Sequence, residues 1–139
     1  MRVRDAMAKT FSTASTGDTV EQVAEMMAKE DCGFMPIVDQ GRLAGVVTDR
    51  DIVVRCLGQH HRDLMSETAS HVMTPGPKAI APDESLEEAA HQMAEYHVRR
   101  LPVIEGQQLV GVLSHGNLVQ AMHGQGCAIE ATVGVTEGA

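Results

Sequence analysis

The chain has 139 residues, of which 43% are apolar, and its 19 acidic and 11 basic side chains give a formal net charge of −8. This excess of acid disfavours binding to nucleic acid or to anionic membranes, because both attract clustered Lys and Arg. No apolar run approaches the roughly 20 residues of a membrane-spanning helix, and Arg2, Arg4 and Asp5 do not fit a signal peptide. The three cysteines form no Cys-x-x-Cys pair, so we expect reduced thiols in a cytoplasmic protein.

The first half of the chain predicts a strand, a helix, a hairpin and a second helix. Thr10–Ala14 is a short β-prone stretch, and Thr19–Gln22 has the pattern of a capping box at a helix start. Phe34–Val38 and Leu43–Val47 are short apolar runs on either side of a polar turn, which predicts a β-hairpin. The next helix is expected to begin at Thr48.

The second half repeats this order at a constant offset of 66 residues, which aligns Asp5–Val54 with His71–Gln120 without a gap. Two copies of one supersecondary unit predict one shared folding module. We place the first repeat at 1–57, a polar linker at 58–68, the second repeat at 69–122 and a tail at 123–139. The second-copy features are the β-prone stretch Lys78–Ala81, the helix start at Ser85, the hairpin runs Leu101–Ile104 and Leu109–Leu113, and the helix start at Ser114.

Three pairs of matching motifs resemble the CBS domain family, in which tandem repeats pair into a Bateman module. The motifs open each repeat, begin each hairpin, and join the last strand to the last helix. They are Val3–Met7 with Ala69–Pro75, Phe34–Val38 with Arg100–Ile104, and Leu43–Ile52 with Leu109–Leu118. The resemblance spans about residues 3–122, so little of the chain remains for a catalytic domain.

The resemblance implies an α/β (α+β) fold of tandem βαββα repeats that pack with pseudo-two-fold symmetry. It also implies a homodimer and an adenine-containing ligand in the cleft between the repeats. AMP, ADP or ATP are the favoured candidates, ahead of S-adenosylmethionine and NAD, and no cofactor is required. Stand-alone members of the family resemble regulatory proteins that signal to a protein partner.

In the first repeat, the resemblance places Asp51 at the ribose hydroxyls and Thr48 at the sugar or phosphate. Arg50 is a candidate phosphate ligand, and free N–H groups in the first helical turn are expected to add anion affinity. Met35, Pro36 and Val47 are the expected walls of the base site. The alternative is purely structural, because Thr48 and Asp51 also have the spacing of a helix capping box.

The second repeat departs from this pattern, since Asn117 replaces the carboxylate and offers a weaker acceptor to a hydroxyl. Ser114 and Pro102 match Thr48 and Pro36 and complete the candidate site residues of this repeat. Arg99 and Arg100 precede Pro102 and are the expected phosphate ligands. The two repeats therefore predict one composite site, although both arginines could instead lie on a solvated strand edge or form a salt bridge with one of the many acids.

No metal site is predicted, and the weak candidates are two Cys–His pairs at i, i+4 spacing. They are Cys56 with His60, and His123 with Cys127. The sequence also lacks the motifs of common hydrolases and nucleotide-cleaving enzymes, so we expect no enzymatic activity. The function predicted is an adenine-nucleotide sensor, with a ligand-free interaction module or a metal-responsive stress protein as alternatives.

Overall fold

The computed structural model describes residues 1–59, 63 and 65–123, and the chain divides into two compact units. The first-repeat unit is formed by Ser12–Pro77, and the second-repeat unit combines Met1–Phe11 with the chain from Lys78 onward. Each unit therefore contains the opening segment of the other sequence repeat. Helices and strands are mixed in both units, as the sequence predicts for the α/β class.

The first-repeat unit contains a four-stranded sheet in the order β1-β2-β3-β4. Strand β1 runs parallel to β2, whereas β3 is antiparallel to both of its neighbours. The predicted hairpin between β2 and β3 is confirmed, and its two turn residues, Gln40 and Gly41, both have positive φ angles of 52° and 81°. The strands are β1 (Ala14–Ser15), β2 (Phe34–Asp39), β3 (Arg42–Thr48) and β4 (Thr74–Pro75).

The helices of this unit begin where the sequence predicts. Thr19 Oγ1 accepts the Gln22 N–H at 3.1 Å and the Gln22 side chain accepts the Thr19 N–H at 2.9 Å, which confirms the capping box. The helix that starts after Thr48 continues through Ile52–Gln59 with π-helical geometry, two residues into the predicted linker. The α-helices are α2 (Val20–Glu30), α3 (Asp49–Asp51) and α4 (Ala69–Val72).

The second-repeat unit follows the same plan. The predicted hairpin is confirmed as β5 and β6, and Ser85 Oγ accepts the Glu88 N–H at 3.0 Å at the start of a helix. The predicted strand at 78–81 is reduced to one parallel bridge between Ile80 and Val103. No helix within the described part of the chain is long and apolar enough to cross a membrane. The elements are α1 (Val3–Ala6), α5 (Leu86–Tyr96), β5 (Arg100–Glu105), β6 (Gln108–Ser114) and α6 (His115–Ala121).

Each unit has its own apolar core, built from alternate strand residues and from the inner faces of its helices. In the first-repeat unit, the opening segment of the second repeat contributes Ala69 and Val72 to this core, and both are buried. Val3 plays the corresponding part in the second-repeat unit. The exchanged segments are therefore part of the apolar interior of the unit that receives them.

A glycine in the last strand of each hairpin allows the exchanged segment to approach closely. A Cβ atom at Gly45 would lie 2.6 Å from Met73 Sδ and 2.7 Å from the Thr74 carbonyl oxygen. At Gly111 it would lie 2.5 Å from Met7 Sδ and 3.0 Å from the Ala8 carbonyl oxygen. The same close contact between strand and exchanged segment thus occurs in both units. Only glycine, which has no side chain, fits at that position of the strand.

An exposed ion pair also holds the N-terminal segment to the second-repeat unit. Asp83 Oδ1 accepts from Arg4 Nε at 2.9 Å and from Arg4 Nη2 at 2.6 Å, and Glu105 lies 3.4 Å from the same Nη2 atom. The hydrogen bonds from Arg4 lower the pKa of Asp83, and the charges of Arg4 and Arg2 act in the same direction. The same bonds raise the pKa of Arg4.

We expect Gly45→Ala to reduce the free energy of unfolding by about 1–3 kcal/mol, because the added carbon overlaps the Thr74 backbone. Urea denaturation measures the change. Gly17→Ala is the matched control, since no atom lies within 4 Å of the carbon that it adds. Equal unfolding midpoints for the two variants would contradict the close approach.

The Arg4–Asp83 pair predicts a stability that depends on pH in the acid range. Because the pKa of Asp83 is lowered in the folded chain, its contribution is present above the unfolded pKa of about 3.9 and is lost as pH falls through the folded pKa. Asp83→Asn and Arg4→Gln should both flatten this acid limb. Urea midpoints measured between about pH 2 and pH 6 test this, and an unchanged acid limb in Asp83→Asn would refute it.

Candidate ligand-binding site

The start of the helix that follows β3 is organised by a reciprocal capping box. Thr48 Oγ1 accepts the Asp51 N–H at 3.1 Å, and Asp51 Oδ2 accepts the Thr48 N–H at 2.9 Å. Both residues are half-buried. The capping interpretation of this motif is therefore correct, and the cap fixes the direction of the Asp51 carboxylate.

The expectation of free N–H groups in this first helical turn is wrong. The Asp49 N–H donates to the Gly33 carbonyl at 2.9 Å, and the Arg50 N–H donates to Asp49 Oδ1 at 2.8 Å. The Asp51 N–H is taken by Thr48, as described above. The Asp49 carboxylate already accepts the Arg50 N–H at this helix start. A bound phosphate would therefore have to displace that carboxylate.

The second oxygen of Asp51 faces the cation Arg55, which was not among the predicted site residues. Arg55 Nε lies 3.6 Å from Asp51 Oδ1, and Arg55 Nη1 donates to the Val72 carbonyl at 3.2 Å. The Asp51 side chain is 13% exposed and that of Arg55 is 40% exposed. The i, i+4 spacing of these residues on a predicted helix was the available signal. The carboxylate is thus oriented from both sides and still reaches the surface.

Strand alternation separates the three residues predicted to wall the base site. Met35 and Val47 pair across the hairpin and are buried in the apolar core, on the face that packs against the helices. Pro36 pairs with Val46 on the opposite face, which also carries Thr48. The apolar surface beside Thr48 is therefore formed by Pro36 and Val46 rather than by Met35 and Val47.

The second repeat has the same cap with an amide in place of the carboxylate. Ser114 Oγ accepts the Asn117 N–H, and Asn117 Oδ1 accepts the Ser114 N–H, both at 3.0 Å. The register pairs Arg100 with Ser114 and Pro102 with Val112, so all four residues share one face of this hairpin. Within this unit, two predicted site residues, Arg100 and Pro102, therefore lie on the same face as the cap.

Arg99 lies on the surface at the base of β5, in the loop that precedes the strand. Its carbonyl accepts the His115 N–H at 2.7 Å, which matches the bond between Gly33 and Asp49 in the first repeat. The Arg99 side chain is exposed and that of Arg100 is half-buried. The predicted cations of the second repeat are thus next to the start of α6.

The four weak metal candidates are not brought together by the described residues. Cys56 is buried in the core of the first-repeat unit, and His123 is exposed after the end of α6. His60 and Cys127 lie outside the described residues. Among residues 1–59, 63 and 65–123, no group of three or more His, Cys, Asp or Glu side chains is arranged to hold a metal ion.

A comparison with protein families matches both repeats to the same model. The model of the CBS domain covers residues 3–58 and again residues 69–124. The chain belongs to the CBS domain family. The tandem match makes it a CBS pair, and the two capped helix starts described above lie at the same place in each matched copy.

Two bacterial relatives cover most of this CBS pair. The CBS domain-containing protein YhcV of Bacillus subtilis is 37% identical over 116 residues, which are 84% of this chain and 81% of the relative. Hypoxic response protein 1 of Mycobacterium tuberculosis is 31% identical over 118 residues, which are 84% of this chain and 82% of the relative. Both relatives are therefore of similar length to the present chain.

Solved structures of CBS pairs share the fold and differ in the ligands that they contain. The crystal structure of Hypoxic Response Protein I contains two coordinated zinc ions and matches with a TM-score of 0.78 and 30% identity, over 86% of this chain and 98% of that chain. CBSX2 of Arabidopsis thaliana was crystallised with AMP. It matches with a TM-score of 0.76 and 26% identity, over 86% of this chain and 94% of that chain. The family fold thus accommodates both kinds of ligand.

The reciprocal cap predicts a difference between two substitutions of one residue. Asp51→Ala removes the acceptor for the Thr48 N–H and should lower the free energy of unfolding by about 1 kcal/mol. Asp51→Asn should change it by less than about 0.5 kcal/mol, because Asn117 makes the same bond in the second repeat. Chemical denaturation of both variants tests this, and equal losses would show that the charge rather than the cap is required.

Proposed function

We propose that this CBS pair is a non-enzymatic regulatory module that binds an adenine nucleotide, with the ribose held at Asp51. AMP, ADP and ATP are the candidate ligands, and S-adenosylmethionine and NAD rank below them. The AMP complex of the related CBSX2 supports the ligand class. The arrangement of this chain's own residues supports the position of the ribose at Asp51.

The orientation of the Asp51 carboxylate is the observation that carries the proposal. Each carboxylate oxygen can accept two hydrogen bonds. Oδ2 receives one from the Thr48 N–H, and Oδ1 lies 3.6 Å from Arg55. Acceptor sites remain for the two ribose hydroxyls, and hydroxyl donors to a carboxylate form strong bonds. Capping and ribose binding are therefore compatible at Asp51.

The base requires an apolar surface close to this carboxylate. The half-buried Val46 and the buried Pro36 provide it, because they lie on the same strand face as Thr48, two residue pairs away along the hairpin. In the proposed site the adenine packs against this surface. Met35 and Val47 support it from the core and do not contact the ligand.

The phosphates require cations, and the chain has few near the two caps. Arg50 follows Asp49 in the first repeat and is exposed. Arg99 and Arg100 are the second-repeat candidates, and their part in binding stays a prediction. Ser114 and Asn117 offer neutral hydrogen bonds, so we propose that the second repeat binds ribose more weakly than the first.

Regulation by a ligand implies a partner molecule that responds to ligand binding. We propose that the protein acts as a homodimer in the cytoplasm and that nucleotide binding changes a surface which a protein partner contacts. The family relationship supports this module type, and the unclustered cysteines are consistent with a reducing compartment.

A ligand-free interaction module is the second candidate, and one observation favours it. Thr48 and Asp51 satisfy each other's backbone N–H groups, so the motif has a structural purpose of its own. Under this candidate, Asp51 stabilises the helix start and binds nothing else.

A thermal-shift panel of AMP, ADP, ATP, NAD and S-adenosylmethionine separates the two candidates. A ligand at about 100 times its dissociation constant adds roughly 2.7 kcal/mol to the free energy of unfolding, which should raise Tm by about 5–10 °C in a chain of this size. Asp51→Asn should weaken binding about tenfold and so roughly halve the shift. No shift with any of the five ligands would leave the interaction module as the function.

A further inference from the structure

The two repeats carry opposite charges at one equivalent place. In the first repeat the Asp49 N–H donates to the Gly33 carbonyl at 2.9 Å, and in the second the His115 N–H donates to the Arg99 carbonyl at 2.7 Å. These residues are related by the 66-residue offset. The backbone is therefore the same, whereas an acid and a glycine in one copy are replaced by an imidazole and a guanidinium in the other.

The Asp49 carboxylate is held in place by its surroundings. A Cβ atom added at Gly33 would lie 2.4 Å from Asp49 Oδ2, which means that the carboxylate fills the space that a side chain at position 33 would need. Its other oxygen accepts the Arg50 N–H at 2.8 Å. The negative charge is thus fixed one residue after Thr48 and two residues before Asp51.

We infer that Asp49 is a specificity-determining residue that makes the first-repeat site discriminate against ligands with a high phosphate charge. This inference rests on the proposed binding of an adenine ligand with its ribose at Asp51. The site then prefers adenosine or AMP to ATP, because the 5′ substituent of the ribose enters the field of a fixed carboxylate. The second repeat has His115 in place of Asp49, and Arg99 in place of Gly33.

The physical basis is charge repulsion that grows with each added phosphate. Two unit charges about 8 Å apart change an equilibrium constant roughly twofold at the dielectric constant of water and roughly 30-fold at the effective value of about 20 that applies near a protein surface, and salt screens part of this effect. Adenosine is uncharged and serves as the reference ligand. The helix start cannot compensate with its own N–H groups, because the Gly33 carbonyl, the Asp49 carboxylate and the Thr48 hydroxyl already accept them.

The test compares the dissociation constants of adenosine, AMP and ATP for the wild type and for Asp49→Asn, by isothermal titration calorimetry at low salt. Asparagine keeps the acceptor for the Arg50 N–H and removes only the charge. The control is Asp39→Asn, which changes the net charge equally. Asp39 lies at the opposite end of β2 from Phe34, about 17 Å away along the strand.

We expect Asp49→Asn to strengthen ATP binding by about 3- to 10-fold and AMP binding by less. Adenosine binding should remain within twofold, and the control should match the wild type in all three ligands. An equal ratio of ATP affinity to adenosine affinity in Asp49→Asn and the wild type would show that Asp49 does not discriminate by ligand charge. The proposal of nucleotide binding would still stand in that case, provided that adenosine or AMP binds. If no adenine ligand binds either protein, both proposals are overturned.

Discussion

The alternation of side chains along β2 and β3 is the constraint on which the candidate site depends. Met35 and Val47 must face the helices to close the apolar core of the first-repeat unit. This requirement turns Pro36, Val46 and Thr48 to the opposite face, where Val46 and Thr48 are half-buried. The surface available for binding is therefore what remains after the core has been built, and a shift of one residue in register would exchange the two sets.

The helix that follows β3 orients the polar groups beside this surface. Its cap fixes Thr48 and Asp51 relative to the strand end, and Arg55 one turn later orients the second carboxylate oxygen. The stability of the helix start and the proposed binding of a ribose thus depend on the same few atoms. A group that is already positioned by the fold loses little conformational entropy when a ligand arrives, which favours binding by a small module of this kind.

The sequence predicted most of the elements because their signals are local. The capping box at Thr19, the polar turn of the first hairpin and the helix start at Ser114 each depend on residues close together in the sequence, although the turn has two residues rather than the roughly four expected. Short strands depend on distant partners instead. The stretch at 78–81 forms only one bridge, and β4 was not predicted at all, because its pairing with Gly45 is set by the exchanged segment.

The site was predicted in part for the same reason. The resemblance identified Thr48 and Asp51, and their spacing correctly indicated a cap. Arg55 and Val46 were missed, although helical spacing from Asp51 and strand alternation from Thr48 could have found them. The engagement of the Asp49 N–H by Gly33 could not be predicted from spacing, because the acceptor lies 16 residues earlier in the chain.

The exchange of opening segments bears on how such a chain could have arisen by duplication. A single repeat cut out of this sequence would leave Gly45 without the Met73 side chain and the Thr74 backbone that fill the space beside it. In an ancestor with one repeat, the opening segment of a second molecule could fill this space, as in domain-swapped dimers. Joining two copies in one polypeptide would turn an encounter between separate molecules into a connection within one chain, and that arrangement no longer depends on protein concentration.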